Sequence, residues 1–170
     1  MKKLLIIFFV FFNFIPCKAE NLIVYLDIDY ILMNSNIGIS INKYISSIET
    51  QKKKEFETNE KKLLDEEQKL LSKKKLINEE NFNNEVTKLS KKVSDHNIVK
   101  KNFYNDLNKK KKDYTKKVLK ELNIIISEYV KEKDISFVLP KKNVIVAKKN
   151  LDITEDILFL TNEKIINFDY

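Results

Sequence analysis

The sequence predicts an α+β chain that is mainly α: a long antiparallel coiled-coil hairpin, or tentacle, inserted in a small β-rich oligomerisation head. Three observations predict it. Between Gly38 and Pro140 there is no further Gly or Pro, in a stretch dominated by Lys, Glu, Leu and Asn. A hundred residues without a breaker point to long helices. Within it Phe56, Leu63, Leu70 and Ile77 recur at intervals of seven, as the seam of a coiled coil does. Strand-type apolar runs occur only near the two ends of the chain.

The first segment reads as an address. Lys2 and Lys3 precede a nearly continuous apolar run from Leu4 to Ile15, then Pro16, and Cys17 and Ala19 supply small residues for cleavage after Ala19. That is a secretory signal peptide over residues 1–19. The apolar run, about 12 residues, is too short to cross about 30 Å of hydrocarbon. A lipoprotein reading of Cys17 would want a small residue before it, and Pro16 stands there.

Leu22–Leu26 is the first strand-type run, and residues 29–35 allow a short helix after it. Two antiparallel helices follow, over 41–77 and 84–133, with the tip near 78–84, where four Asn fall in seven residues. Asn competes with helix by bonding to nearby backbone. One continuous helix is the alternative. The second stripe runs through Phe82, Val86, Leu89 and Val93, then Phe103, Leu107, Tyr114, Val118, Leu122, Ile125 and Tyr129. Polar residues such as Glu67, Lys74, His96 and Lys100 interrupt the seam, so it is thin. Ser136–Leu139 and Val144–Ala147 are two further strands, joined as a hairpin through 140–143. A final helix starts near Asp152, with Asp152 or Thr154 as cap and Glu155 and Asp156 at its positive end.

The head is therefore residues 20–40 and 134–170, and the arm is 41–133. A head of this size, with no disulfide, is marginal alone, and association between chains is the remedy. Val24, Leu26, Phe137, Val138, Leu139, Ile145 and Val146 are the candidates for building the shared head. Charge divides the same way. The arm holds 24 Lys and 16 acids, net +8, while residues 20–40 with 134–170 hold 5 Lys and 9 acids, net −4.

The composition also excludes. One Gly forbids a Gly-rich phosphate cradle. One Cys and one His leave no disulfide framework and no Cys/His zinc site. No cofactor and no enzymatic role are expected: His96 stands alone on the seam, and Asp27 and Asp29 suit a strand end and an N-cap better than a metal pair. Nucleic acid, a tempting partner for basic helices, conflicts with an export signal. An anionic membrane surface remains possible for a structural spacer or adaptor.

In this order of elements the chain resembles the Skp/OmpH family of periplasmic chaperones. The local matches are Ile23-Val24-Tyr25-Leu26-Asp27 and the tail from Asp134, through Ile135–Leu139, Val144–Ala147 and Asp152-Ile153-Thr154. The resemblance implies a periplasmic homotrimer whose heads share a small barrel and whose arms surround unfolded outer-membrane proteins without ATP. All 32 basic residues here are Lys. Lys cannot make the bidentate fork of Arg, which disfavours a specific phosphate or lipopolysaccharide site and leaves general electrostatic capture. On this reading Lys52, Lys53, Lys54, Lys73, Lys74, Lys75 and Phe82 are the client-contact candidates.

Overall fold

The computed structural model describes residues 22–166; the signal-peptide segment lies outside the described residues. The chain enters through strand β1 (Leu22–Leu26) and short helix α1 (Ile28–Asn34). Asp27 caps α1, its side chain accepting from the Tyr30 N–H at 2.9 Å, which satisfies a donor that the first turn leaves open. Helix α2 (Asn36–Lys73) follows α1 with Ser35 alone between them. Ser35, fully buried, is its N-cap and accepts from the Gly38 N–H at 3.2 Å.

Helix α2 reaches about 57 Å at 1.5 Å per residue, and α3 (Glu79–Glu132) returns along it. The reversal falls at residues 74–78, ahead of the expected 78–84, with Asn81, Asn83 and Asn84 inside α3. Asn78 is the reason: its side chain accepts from the Asn81 N–H at 2.8 Å and starts the helix. Glu79 and Glu80 then sit at the positive end of the dipole. At the head end Asp134, at φ 51°, turns the chain out of α3. Asp tolerates the left-handed region better than most residues because its short side chain bonds locally.

Strand β2 (Ile135–Pro140) then lies parallel to β1, with Val24 opposite Val138 and Leu26 opposite Pro140. The helical hairpin is thus the crossover of a parallel pair. The expected second hairpin strand at Val144–Ala147 does not form. Pro140 ends β2 without an N–H to continue the ladder, and Lys141–Asn143 tightens into a 3-10 turn. Residues 144–147 lead outward, and a second 3-10 turn (Lys149–Leu151) brings Asp152 to bridge Tyr25 on the opposite edge of β1. The β part of the head is two strands, not three. Helix α4 (Thr154–Lys164) closes the head.

A small polar knot ties these ends. The Asp27 N–H donates to Thr154 Oγ1 at 3.0 Å, and the Thr154 hydroxyl and N–H donate to Asp152. Lys141 Nζ completes it at 2.9 Å from Asp152. Burial works against the Asp152 carboxylate, but the Thr154 and Lys141 bonds outweigh it and hold its pKa below the usual value. Below the knot Val24, Leu26, Ile31, Leu122, Ile135, Ile153 and Ile157 form the head core. Ile37, Ile41, Ile45, Leu107, Tyr114 and Val118 form a second core at the root of the arm.

Two tests follow from this packing. A Cβ on Gly38 would meet the Leu32 carbonyl oxygen at 1.9 Å. Gly38→Ala gains about 1 kcal/mol of helix propensity but forces backbone apart, and overpacking costs roughly 1–3 kcal/mol. A lower urea midpoint is expected despite the better helix former. Tyr129 donates to Asp156 at 2.6 Å, and burial, then that bond, push its pKa up to about 12. A raised pKa means its stabilisation is complete below the unfolded value of 10.0 and is lost as pH rises toward about 12. Unfolding followed from pH 9 to 12 should show this loss in the parent and less of it in Tyr129→Phe.

Candidate functional site

The arm is packed unevenly along its length. Near the head Ile41, Ile45, Leu107, Tyr114 and Val118 are buried between α2 and α3. Tyr44 and Tyr114 meet edge to face, with centroids 6.1 Å apart. Farther out Phe56, only 3% exposed, is wedged among Phe103 at 5.6 Å, His96 at 5.7 Å and Tyr104 at 6.4 Å. Such edge contacts add about 0.5–1.5 kcal/mol beyond area burial. Between residues 57 and 106 no described residue is buried.

Beyond Phe56 the two helices leave a groove of about 680 Å³ open along one side. Leu63, Leu70, Phe82 and Leu89 are its half-buried floor. Leu64, Leu71, Val86 and Val93 are its walls, from 39% to 59% exposed. Glu60 and His96 mark its inner end, and Lys74 and Phe82 its outer end. The opposite side of the same stretch sets six charged residues, Glu66, Lys69, Lys73, Glu85, Lys88 and Lys92, around Leu70, Ile77 and Leu89. There Lys92 joins Glu66 across the helices at 2.7 Å. The outer arm is therefore amphipathic as a two-helix unit. Its apolar side can take up apolar side chains, and its charged side stays in water.

Of the sequence-stated contact residues, the structure brings Lys74 and Phe82 together at the groove, with Lys74 Nζ 5.8 Å from the Phe82 ring centre. Lys73 falls on the charged side, and Lys75 is exposed in the turn. Lys52, Lys53 and Lys54 lie far from it, nearer the head. Lys52 is held by Glu55 and lies 5.9 Å from the Phe56 ring, and Lys53 is 3.9 Å from Glu57. The residues missed were Leu64 and Leu71. They stand one position off the heptad stripe, beside Leu63 and Leu70, and that doubling was the available signal.

The head candidates divide into two groups. Val24 and Leu26 are buried within the single chain, at 3% each, and Val138 is half-buried. Phe137, Leu139, Ile145 and Val146 are exposed, the last two at 98% and 89%. His96 sits where the seam reading put it, and Asp27 is the helix cap described above. Among the described residues no His/Cys/Asp/Glu group could hold a metal ion, and no helix is long and apolar enough to cross a membrane.

A small α+β head carrying one long antiparallel helical arm defines the class of protein. The chain belongs to the OmpH-like outer membrane protein family, whose model matches residues 22–159. A comparison with curated protein sequences gives no match. Among solved structures, the chain is similar to an OmpH-like outer membrane chaperone candidate from Caulobacter crescentus CB15. That match has a TM-score of 0.81 and 18% identity, and covers 89% of this chain and 90% of that one. The shared fold is thus carried by very different side chains.

The packing gradient is measurable. Leu122→Ala in the head removes a side chain with no exposure and should cost about 2–5 kcal/mol. Leu63→Ala, on a floor already open to water, should cost less than about 1.5 kcal/mol. Urea unfolding of the two variants, with amide exchange faster in 57–106 than in 107–132, checks this.

Proposed function

We propose that this protein is an ATP-independent periplasmic holdase that keeps unfolded outer-membrane proteins from aggregating. The observation that carries the reading is the apolar groove of the outer arm, backed by a lysine-rich surface. An arm of net +8 draws acidic unfolded chains over distances up to about a Debye length. The groove then takes apolar side chains in turn. Each contact is weak, because Leu64 and Leu71 are already half in contact with the arm and can gain only part of the 1.5–3 kcal/mol of full burial. Several arms acting on one client multiply such contacts by effective concentration. Weak, multiple contacts suit a carrier that must release without ATP.

Several arms require several chains. Phe137, Leu139, Ile145 and Val146 are exposed in one compact region of sequence around β2, and water is a poor neighbour for them. We assign them to self-association, with the homotrimer of the family resemblance as the expected state. Val24 and Leu26 support that surface from within the chain. Lys73, Lys74, Lys75 and Phe82 are the proposed client contacts at the tip, with Lys52, Lys53 and Lys54 contributing general attraction.

Dilution of a urea-unfolded outer-membrane β-barrel protein into buffer, followed by light scattering, tests this. Suppression near one trimer per client, weakened by salt, is expected. Leu64→Ser with Leu71→Ser should raise the chaperone concentration needed by about fivefold per lost kcal/mol at every salt concentration. Lys73, Lys74 and Lys75 changed to Gln should matter at low salt only. No suppression by the parent at any salt would end the holdase reading.

A further inference from the structure

The groove has a defined inner end, and that end is built from a titratable cluster. We propose that Glu60, His96 and Lys100, packed on Phe56, form a pH-sensitive clasp that sets how far the two helices of the outer arm stand apart. The proposal rests on the client-binding reading of the groove and names how that site is regulated.

The argument begins with position. His96 lies at the boundary between the last buried seam residue and the open groove. Its side chain is 10% exposed, and its ring meets the Phe56 ring at 5.7 Å and 85°. Its Nε2 is 3.3 Å from Glu60 Oε1 on the other helix. Lys100 Nζ, one turn along α3, reaches the same oxygen at 2.6 Å. Glu60 is therefore the single point through which both groups of α3 hold α2. Lys100, then His96, hold the Glu60 carboxyl below the usual carboxylate range, so it is anionic throughout the neutral and mildly acidic range.

Other charged and titratable groups surround the cluster, among them Glu57 and Tyr104, which also act on Lys100. From α2, Glu57 is paired with Lys53, Glu66 is paired with Lys92, and Glu67 faces the groove farther out. From α3, Asp95 and Lys100 flank His96, and Lys92 is held by Glu66. His96 is the one histidine of the chain. Imidazole is the side chain that ordinarily changes charge between about pH 5 and 8.

The sign follows from geometry. A neutral ring offers Glu60 one ordinary hydrogen bond. A protonated ring offers a charge-assisted bond across the helices, shorter and stronger. Two effects oppose it: partial burial of the new charge and its like-charge pairing with Lys100 at i,i+4 on the same helix. Both are offset by Glu60, whose anionic Oε1 is within reach of both groups. Acidification therefore draws α3 to α2 at the root and narrows the groove. At neutral and alkaline pH Lys100 is the one charged tie left on Glu60, and the walls stand farther apart.

The test uses the full chain in a Cys17→Ser background, with nitroxide labels at Asp65→Cys and Lys91→Cys. These exposed positions lie on opposite helices, next in sequence to the groove-lining residues Leu64 and Ser90. Labelled protein is diluted in excess unlabelled chain, and distances are read by pulsed electron resonance at pH 8 and pH 5.5. The expected result is a shorter, narrower distribution at pH 5.5 and slower amide exchange in residues 57–100. His96→Gln keeps a donor but no titration, and should show the pH 8 distribution at both values. Glu60→Gln should abolish the acid response with His96 intact. The clasp is overturned by an unchanged distribution in the parent, or by an equal pH response in His96→Gln. Aggregation suppression measured alongside separates the two readings: a pH response without suppression sinks the holdase function alone, and suppression without a pH response sinks the clasp alone.

Discussion

Everything in this fold depends on one parallel pairing. β1 and β2 run the same way, Val24 beside Val138, although residues 27–134 lie between them. Parallel neighbours cannot be joined by a tight turn, so the chain must leave the sheet and come back to its starting end. Here the crossover is an entire helical hairpin. The arm is long because residues 39–139 hold no Gly or Pro and its helices are interrupted only at the reversal, and it returns because the head needs β2 in place. The knot of Asp27, Thr154, Asp152 and Lys141 fastens the start of the arm to the helix that follows it. It adds a polar fastening to the two strands and the apolar head core that also join the ends of the crossover.

That anchoring explains the direction of the packing gradient. Side chains near the head pack among β1, β2, α1, α3 and α4 together, and Leu122 and Ile157 lose all exposure. Away from the head only two helices remain. Two helices can cover a narrow seam and nothing wider. Phe56 closes the last point at which the seam is filled by aromatic rings. Beyond it the paired leucines at 63 and 64, and at 70 and 71, make the apolar stripe too wide for one partner helix, and half of it faces water.

The same logic separates what the sequence made legible from what it hid. The helical hairpin and the Asp27 cap have local causes, a period and a capping residue, and local causes can be read along a chain; the strand at 22–26 follows its apolar run, and the last helix starts at Thr154 behind Ile153 with no side-chain cap, not capped by Asp152 or Thr154 as expected. The tip was displaced because the Asn-rich stretch was read as a break, whereas only Asn78 acts, as a cap, and the Asn residues after it continue the helix. The strand at 144–147 was read from composition. A strand also needs a neighbour, and within one chain β1 has already taken β2 and Asp152. The groove was hidden by the assumption that a heptad stripe is a closed seam. Whether a seam closes is decided by the width of the stripe, not by its period.

Openness of the outer arm also bears on what such an arm could do. A closed coiled coil has spent its apolar surface on itself and presents only charge. A fully open pair of helices would bury so little that the hairpin would not hold together. The observed arm lies between these limits: cross-helix pairs Glu60–Lys100 and Glu66–Lys92 bridge the helices while the leucines stay half free. Ion pairs of this exposed kind contribute little individually, so they register the helices without locking them. An unfolded chain entering the groove would then compete with water for those leucines and not with a packed interior. On the proposed reading reversible capture would follow from this balance, because the surface offered to a client would be surface the fold does not require.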